Sequence, residues 1–479
     1  MRRSPLNTHC KSDRIELQGP GRRILTADFD GGHLTTDGGV VALQQIDQKL
    51  QIMRRFADCF VDARESGRVE HSVEELLRQR VFGLALGYED LNDHDQLRLD
   101  PLLAMAVGKR DVVGKKRKHT RHQGAALAAK STLNRLDFAM GADAAEDRYH
   151  RIAADPEAIE RFFTECFLDS FTEAPDQLIL DFDATDNPIH GQQEGRFFHG
   201  YYGHYCYLPL YVFCGRHVLC AKLRRSNIDA CDGSLEVLQD LVEQIRDRWP
   251  NVDILIRADS GFARDWLMSW CEKNGVDFLF GLARNARLER ELESTFEALE
   301  AERELSAEPK KSVRRFVELR YQTLNSWDRE RRVIGKAELT PSGRNPRFVV
   351  TSLDMNSDSR MVYEDLYCAR GESENRIKEQ QLDLFSRRTS GHLMQVNQMR
   401  LWFSAIAYLL MNELRDRVLS DTDLADARCQ TIRLKVLKIA AHIRITARRV
   451  WISMSSSYPW QRRYRRILGL IERMEPRPT

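Results

Sequence analysis

The sequence predicts an α/β protein: a mixed sheet, with an all-helical region before it and a basic helical region after it. Three observations carry that expectation. Apolar residues recur at three- and four-residue spacing from Thr36 to about His150. Between residues 177 and 283 strand-like runs then alternate with two amphipathic helices. After that, β-like runs return before one long helix and one apolar helix.

Taken in chain order, residues 1–35 are polar and Gly-containing and read as an irregular arm. Residues 36–172 read as a helical domain, with "GVVALQQIDQKLQIMRRFADCF" and "SVEELLRQRVFGLAL" as its clearest helices. Ser72, with Glu75 three residues on, predicts a capping box at the start of the second. "STLNRLDFAM" and "DPEAIERFFTECFLDSF" add further helices.

In residues 173–284 the order changes to three strands, helix, strand, helix, strand, namely 177–185, 207–214, 217–226, 234–249, 252–259, 263–275 and 277–283. That order predicts an antiparallel meander extended by crossover units, with the later strands parallel to the first. Residues 285–355 read as a mostly β insertion, with "RRFVELRYQT", "RRVIGKAEL" and "PRFVVTSL" as its strands. Residues 356–398 hold the long helix at 363–385. Residues 399–479 open on the apolar helix 399–419, whose Arg400, Glu413, Arg415 and Asp416 mark it as a core helix and not a membrane span.

Net charge is only +2, but its distribution is uneven. From Arg428 to Ile471 there are eleven basic residues and no acid, and "KRDVVGKKRKHTRH" forms a second basic cluster at 109–122. Two such patches in a neutral chain point to a polyanion partner. No run of eighteen apolar residues occurs, and "MRRSPLNTHCKSDR" lacks the apolar stretch of a secretory signal. Ten scattered cysteines without a C-x-x-C pair predict free thiols in a reducing cytoplasm.

The chemistry concentrates in three places. "LILDFDATDNPIHG" ends an apolar strand in Asp181, Asp183 and Asp186, with Ile179, Asp181 and Asp183 on one face. "RADSGF" ends a second strand in Asp259. If the two strands are parallel neighbours, Asp183 and Asp259 meet at their carboxyl ends. On the long helix Tyr367, Arg370, Glu374 and Lys378 share one face. Two Asp and a Glu supply oxygen-only ligands, which suit Mg²⁺ or Mn²⁺ and metal-assisted phosphodiester chemistry. Tyr367, Arg370 and Lys378 would then face phosphate. A second way to read the acids is a zinc site of Asp186 with His190, His199 and His204 in the aromatic-rich hairpin that follows.

"DATDNPIHGQQEGRFFHGYYGHYCYLPL", "RADSGF" and "YCARGESENRIKEQQ", in that order, resemble the DDE transposases of bacterial insertion sequences. Within them the match is to DDE group 1, with its Tyr-Arg-Glu signature, and it extends over essentially the whole chain. The resemblance implies an RNase H-like core with Asp183, Asp259 and Glu374 as catalytic, metal-binding acids. Tyr367 and Arg370 complete the signature. It also implies Mg²⁺-dependent cleavage at terminal inverted repeats and strand transfer into target DNA, through a hairpin at the element end.

The same resemblance implies DNA as partner, a homodimer in the end-paired complex, and a cytoplasmic, nucleoid-associated location. Trp327 is the candidate for stacking on a displaced base, and Arg448 and Arg449 are candidates for DNA contact. Asp181 is a candidate supporting acid behind the metal ligands. Where the signature ends in Lys, seven residues after the Glu, this sequence has Gln381, and Lys378 lies one turn earlier. The rival expectations are a nuclease of the same fold and a domesticated, inactive DNA-binding protein.

Overall fold

The computed structural model describes residues 15–140, 151–305 and 311–477. In the N-terminal part, helix α1 (Val40–Leu50) and helix α2 (Val73–Leu86) lie side by side within one apolar core. The capping box at α2 is present: Glu75 N donates to Ser72 Oγ at 3.2 Å and Ser72 N donates to Glu75 Oε2 at 2.9 Å.

Eight strands form the central sheet. They are β1 (Gln177–Ala184), β2 (Leu210–Cys214), β3 (His217–Lys222), β4 (Asp253–Ala258), β5 (Asp277–Leu282), β6 (Val313–Tyr321), β7 (Arg331–Thr340) and β8 (Gly343–Thr351). Their spatial order is β3-β2-β1-β4-β5-β8-β7-β6. The first three pair antiparallel, while β1, β4 and β5 run parallel. Helix α3 (Ser234–Arg248) and helix α4 (Asp265–Lys273) make the two crossovers. Within the central sheet the order of strands and helices anticipated for 173–284 is the observed one, while Asn187–Pro188, Phe197–His199 and His204–Tyr207 add a small separate sheet that was not expected. Leu178, Leu180 and Phe182 enter the apolar core under α3 and α4, and the alternate residues face the other way.

Two regions differ from the expected layout. The strands of 285–355 do not stand apart: β8 pairs antiparallel with β5 and continues the same sheet. Two helices, Ala286–Glu291 and Glu293–Glu304, precede them. The C-terminal region is not wholly helical, because Ala441–Ile445 and Val450–Met454 form a hairpin. Strand His33–Thr35, from the expected irregular arm, pairs with that hairpin.

Over the free face of β1 and β4 runs a continuous helical segment from Met361 to Asp383. It is wound wide (π) over Met361–Tyr367 and Glu379–Asp383, and is regular only in α5 (Gly371–Lys378). Val362 and Tyr363 pack on Leu255, Leu279, Ile334 and Val349 of the sheet. Helix α6 (Met394–Leu414) is largely apolar and buried over almost its whole length, with Arg400 paired to Asp137 at 2.9 Å. It packs on α1, α2 and β3, so the N-terminal helices, the C-terminal region and one sheet face share a single core. Among the described residues no helix is long and apolar enough to cross a membrane. The nine described cysteines are free thiols.

Candidate active site

Asp183 lies at the carboxyl end of β1, and Asp259 directly follows β4. The register sets Asp181 beside Arg257, two residues before each acid. Sheet pairing thus brings the two acids to the same edge. The Asp259 carboxylate accepts the Gly261 N–H at 2.8 Å, which fixes the tight turn leading into Phe262. Glu374 comes from α5 above them.

Between these acids lies Arg370. Its guanidinium is 3.5 Å from Asp183 Oδ2 and 3.1 Å from Glu374 Oε1. Asp183 is only 9% exposed. Burial raises its carboxyl to about 7; Arg370 opposes that rise, and the nearby Asp259 and Glu374 add to it. Burial works against the Arg370 charge, but Asp183, Tyr367, Glu374 and Asp259 together hold its pKa above the usual arginine value. All three candidate acids therefore act within one electrostatic neighbourhood.

The donor set is oxygen-only and fits a hard divalent cation. In this conformation Arg370 supplies the positive charge at the acids, and among the described residues no three His, Cys, Asp or Glu side chains are spaced to hold a metal ion. That finding also bears on the zinc alternative. His204 pairs with Asp186 at 2.8 Å, while His199 packs on the Tyr202 ring and His190 is exposed.

Asp181 makes a two-pronged pair with Arg257, at 2.7 and 2.8 Å. Arg257 in turn donates to the Leu366 carbonyl at 2.5 Å. Asp181 is thus the base of a strut that seats the helical segment one residue before Tyr367. Tyr367 itself approaches the sheet at Gly281, where an added Cβ would fall 2.5 Å from its hydroxyl and 2.9 Å from Ser260 N. Gln381, standing where the signature has Lys, donates to the Asp186 carbonyl and to Asn187 Oδ1, both at 3.1 Å. Lys378 is exposed. Gly371 has helical backbone angles, and nothing lies within 4 Å of an added Cβ.

Trp327 lies on the far side of the β5–β8 extension of the sheet, in the loop before β7. Its ring is 6% exposed, packed edge-on against Tyr321 at 5.7 Å with the Arg331 guanidinium 5.6 Å from its centre. With both neighbours in place it offers no open face to a displaced base. Arg448 and Arg449 are exposed at the turn of the C-terminal hairpin. Much of the basic run around them is already paired: Arg428 to Asp383 at 3.2 Å, Lys438 to Asp37 at 2.7 Å, and Arg463 to Asp423 at 2.7 Å. Arg433 is buried and donates to the Ala85 carbonyl at 2.8 Å.

Sequence reasoning missed Gly281 and Tyr202. A lone Gly inside the run "DFLFGLA" was the available signal for the first. Tyr202 sits on the aromatic hairpin, and burial and the charges of Asp186, Asp183 and Asp259 all raise its hydroxyl pKa.

A family model for the transposase DDE domain, group 1, matches residues 18–476. Among solved structures, the cryo-EM structure of a piggyBac transposase synaptic complex with hairpin DNA is similar at 9% identity and a TM-score of 0.42, covering 84% of this chain and 80% of that one. No curated protein matches the chain. With the family model spanning nearly its whole length, the chain belongs to the DDE domain group 1 transposases and is a DNA transposase.

Proposed function

We propose that this transposase cuts DNA at the terminal inverted repeats of a bacterial insertion sequence and joins the freed 3′ end to target DNA, its 3′-hydroxyl attacking a target phosphodiester whose own 3′-oxygen leaves. Asp183, Asp259 and Glu374 are its catalytic acids. The observation that carries this reading is the convergence of two parallel strand ends and one helix on a buried carboxylate, Asp183, with Arg370 at 3.5 Å. Acids crowded in this way are unfavourable unless positive charge shares the site. The order β3-β2-β1-β4-β5 supports the RNase H-like reading of the core.

Asp183 and Asp259 would hold Mg²⁺ or Mn²⁺ together with Glu374. Such an ion, when bound, supplies Lewis-acid activation of a phosphodiester and of the water or 3′-hydroxyl that attacks it. Arg370 presents a fixed fork of N–H donors that suits the non-bridging phosphate oxygens. The strut Asp181–Arg257–Leu366 and the gap at Gly281 hold Tyr367 beside them. Lys378, one turn beyond Glu374, offers a mobile ammonium to the same backbone. The hairpin route and an end-paired homodimer rest on the Tyr-Arg-Glu signature. Exposed Arg448 and Arg449 are the proposed contacts to the bound ends.

The test incubates the full-length protein with Mg²⁺, labelled DNA from the flanks of its own gene, and a supercoiled target, with Asp259→Ala alongside. End cleavage followed by joining, lost in the variant, is the expected result. Cutting without joining would make the protein a nuclease. Specific binding with no cutting in either Mg²⁺ or Mn²⁺ would make it a domesticated binder.

A further inference from the structure

A cavity of about 340 Å³ opens where the N-terminal helices meet the chain that leaves the helical segment 361–383. Helix α2 gives it Arg80 and Leu84, the helix Lys130–Asp137 gives Ser131, and Leu384 and Phe385 close the far side. Asp183, Asp259 and Glu374 do not line it. A volume of this order suits a small molecule. The walls are held in shape. Leu84 and Leu384 are buried, and Phe385 keeps a φ of 65°, which bulky residues seldom adopt. Ser386 N donates to the Gln380 carbonyl at 2.9 Å, and the Arg433 guanidinium lies 5.6 Å from the Phe385 ring centre, so the turn is fixed from both sides.

Arg80 is the feature that the fold leaves without an answer. It is only 4% exposed; its Nη1 donates to the Glu89 carbonyl at 3.2 Å, and its buried Nε meets no partner. The acids nearby are engaged elsewhere: Glu89 and Asp90 with Arg388, at 3.0 and 2.5 Å, and Asp137 with Arg400 at 2.9 Å. Among the described residues no carboxylate pairs with Arg80. Burial accordingly draws its pKa below the usual arginine value, against the pull of Asp137. A buried guanidinium without a counter-ion is unfavourable, and this one borders a cavity that is otherwise walled by leucine and phenylalanine.

We propose that this cavity binds a small organic monocarboxylate, with its carboxylate on the Arg80 guanidinium and its apolar body against Leu84, Leu384 and Phe385. The guanidinium fork matches a carboxylate through two parallel hydrogen bonds. A phosphate dianion fits less well, because Glu89 and Asp90 also line the cavity and repel a second negative charge. A ligand seated there bridges α2 and the chain just beyond the segment that carries Glu374. The site stands apart from the proposed cleavage reaction, and its test uses neither metal nor cleavage.

Ligand-observed NMR titrates the full-length protein with 2-naphthoate and, separately, with the uncharged 2-naphthamide. The expected result is that naphthoate binds about tenfold more tightly than naphthamide. Arg80→Met should remove that advantage while naphthamide affinity stays within about twofold of wild type. Ser131→Trp, which fills the cavity from an exposed position on its helix, should abolish binding of both probes. Equal affinity of the wild type for the two probes, or naphthoate binding that persists in Ser131→Trp, overturns the proposal. So does displacement of naphthoate by an equal concentration of inorganic phosphate, which would make this a site for any anion. Displacement by a short DNA duplex overturns it as well, by assigning the cavity to the path of DNA.

Discussion

Arg370 is the counter-charge between Asp183 and Glu374. Without metal it supplies the local positive charge, so removing it leaves buried Asp183 facing two other acids. Arg370→Ala should lower metal-free stability by about 1–3 kcal/mol. Millimolar Mg²⁺ should then raise its melting temperature more than that of the wild type, since a bound cation takes over the lost charge. Equal Mg²⁺ shifts in thermal denaturation would refute the idea that Arg370 stands in for a cation. A second residue-scale expectation concerns His94. It is fully buried, its Nδ1 faces the Gln79 amide at 3.2 Å, and burial followed by the Arg80 charge depresses its pKa to about 3. The folded state therefore binds fewer protons than the unfolded chain between that value and about 6.5, and stability falls as pH drops through this window. Between pH 7 and 5 the loss from this group is about 2 kcal/mol. His94→Gln should flatten the wild-type slope of unfolding free energy against pH over that range, as measured by urea titration. Asp183 and Asp259 could be singled out in the sequence because each closes an apolar strand, and Glu374 because it shares a helical face with Tyr367 and Arg370. The place of Arg370 on the Glu374 face of the helix was legible from spacing, but not its pairing as the counter-charge at Asp183, a contact between residues 187 positions apart.

At the scale of elements, the helical segment 361–383 packs on strand β5 through Leu279 and approaches its backbone closely at Gly281. An added Cβ there would strike the Tyr367 hydroxyl at 2.5 Å and the backbone of the Asp259 turn at 2.9 Å, so both must shift. Gly281→Ala should keep the fold yet reduce DNA cleavage at least tenfold, because small misplacements of catalytic groups are costly. Gly371 is the control: it has helical geometry and open space, so Gly371→Ala should leave cleavage intact and stabilise by up to about 1 kcal/mol. Near-equal cleavage by both variants, in a gel assay with purified protein, would remove Gly281 from the site's support. The crossover order β1 to β5 could be read in advance because period-two runs and amphipathic helices alternate with clear boundaries. That β8 would pair with β5 could not, since an apolar strand does not encode its neighbour. The wide turns of the helical segment were equally hidden, because their apolar spacing still passes for an ordinary helix.

Across the whole molecule, composition suggested separate helical regions at the two ends, and packing joins them. Helix α6 is largely apolar because neighbours bury it over almost its whole length, a clue that fixes burial without identifying the partners. The union also divides the basic C-terminal run into two classes. Arg428, Arg433, Lys438 and Arg463 are spent on Asp383, carbonyls of α2, Asp37 and Asp423, so their charge serves the fold. Arg448, Arg449, Arg462, Arg465 and Arg466 are exposed and remain open to phosphate. Each phosphate contact contributes about 0.9 to the slope of log affinity against log salt on duplex DNA. The double variant Arg448→Ala/Arg449→Ala should therefore reduce that slope by about 1.8 and weaken binding to all duplexes alike, with an unchanged melting temperature. Lys438→Ala should do the reverse, lowering the melting temperature while leaving the salt slope close to wild type, because its ammonium is bound to Asp37 at 2.7 Å and lies 4.2 Å from the Tyr88 ring centre. Titrations at four salt concentrations decide the matter. If the Lys438 variant lost the slope and the arginine pair did not, DNA would have to lie along α1 and α2 instead of at the C-terminal hairpin.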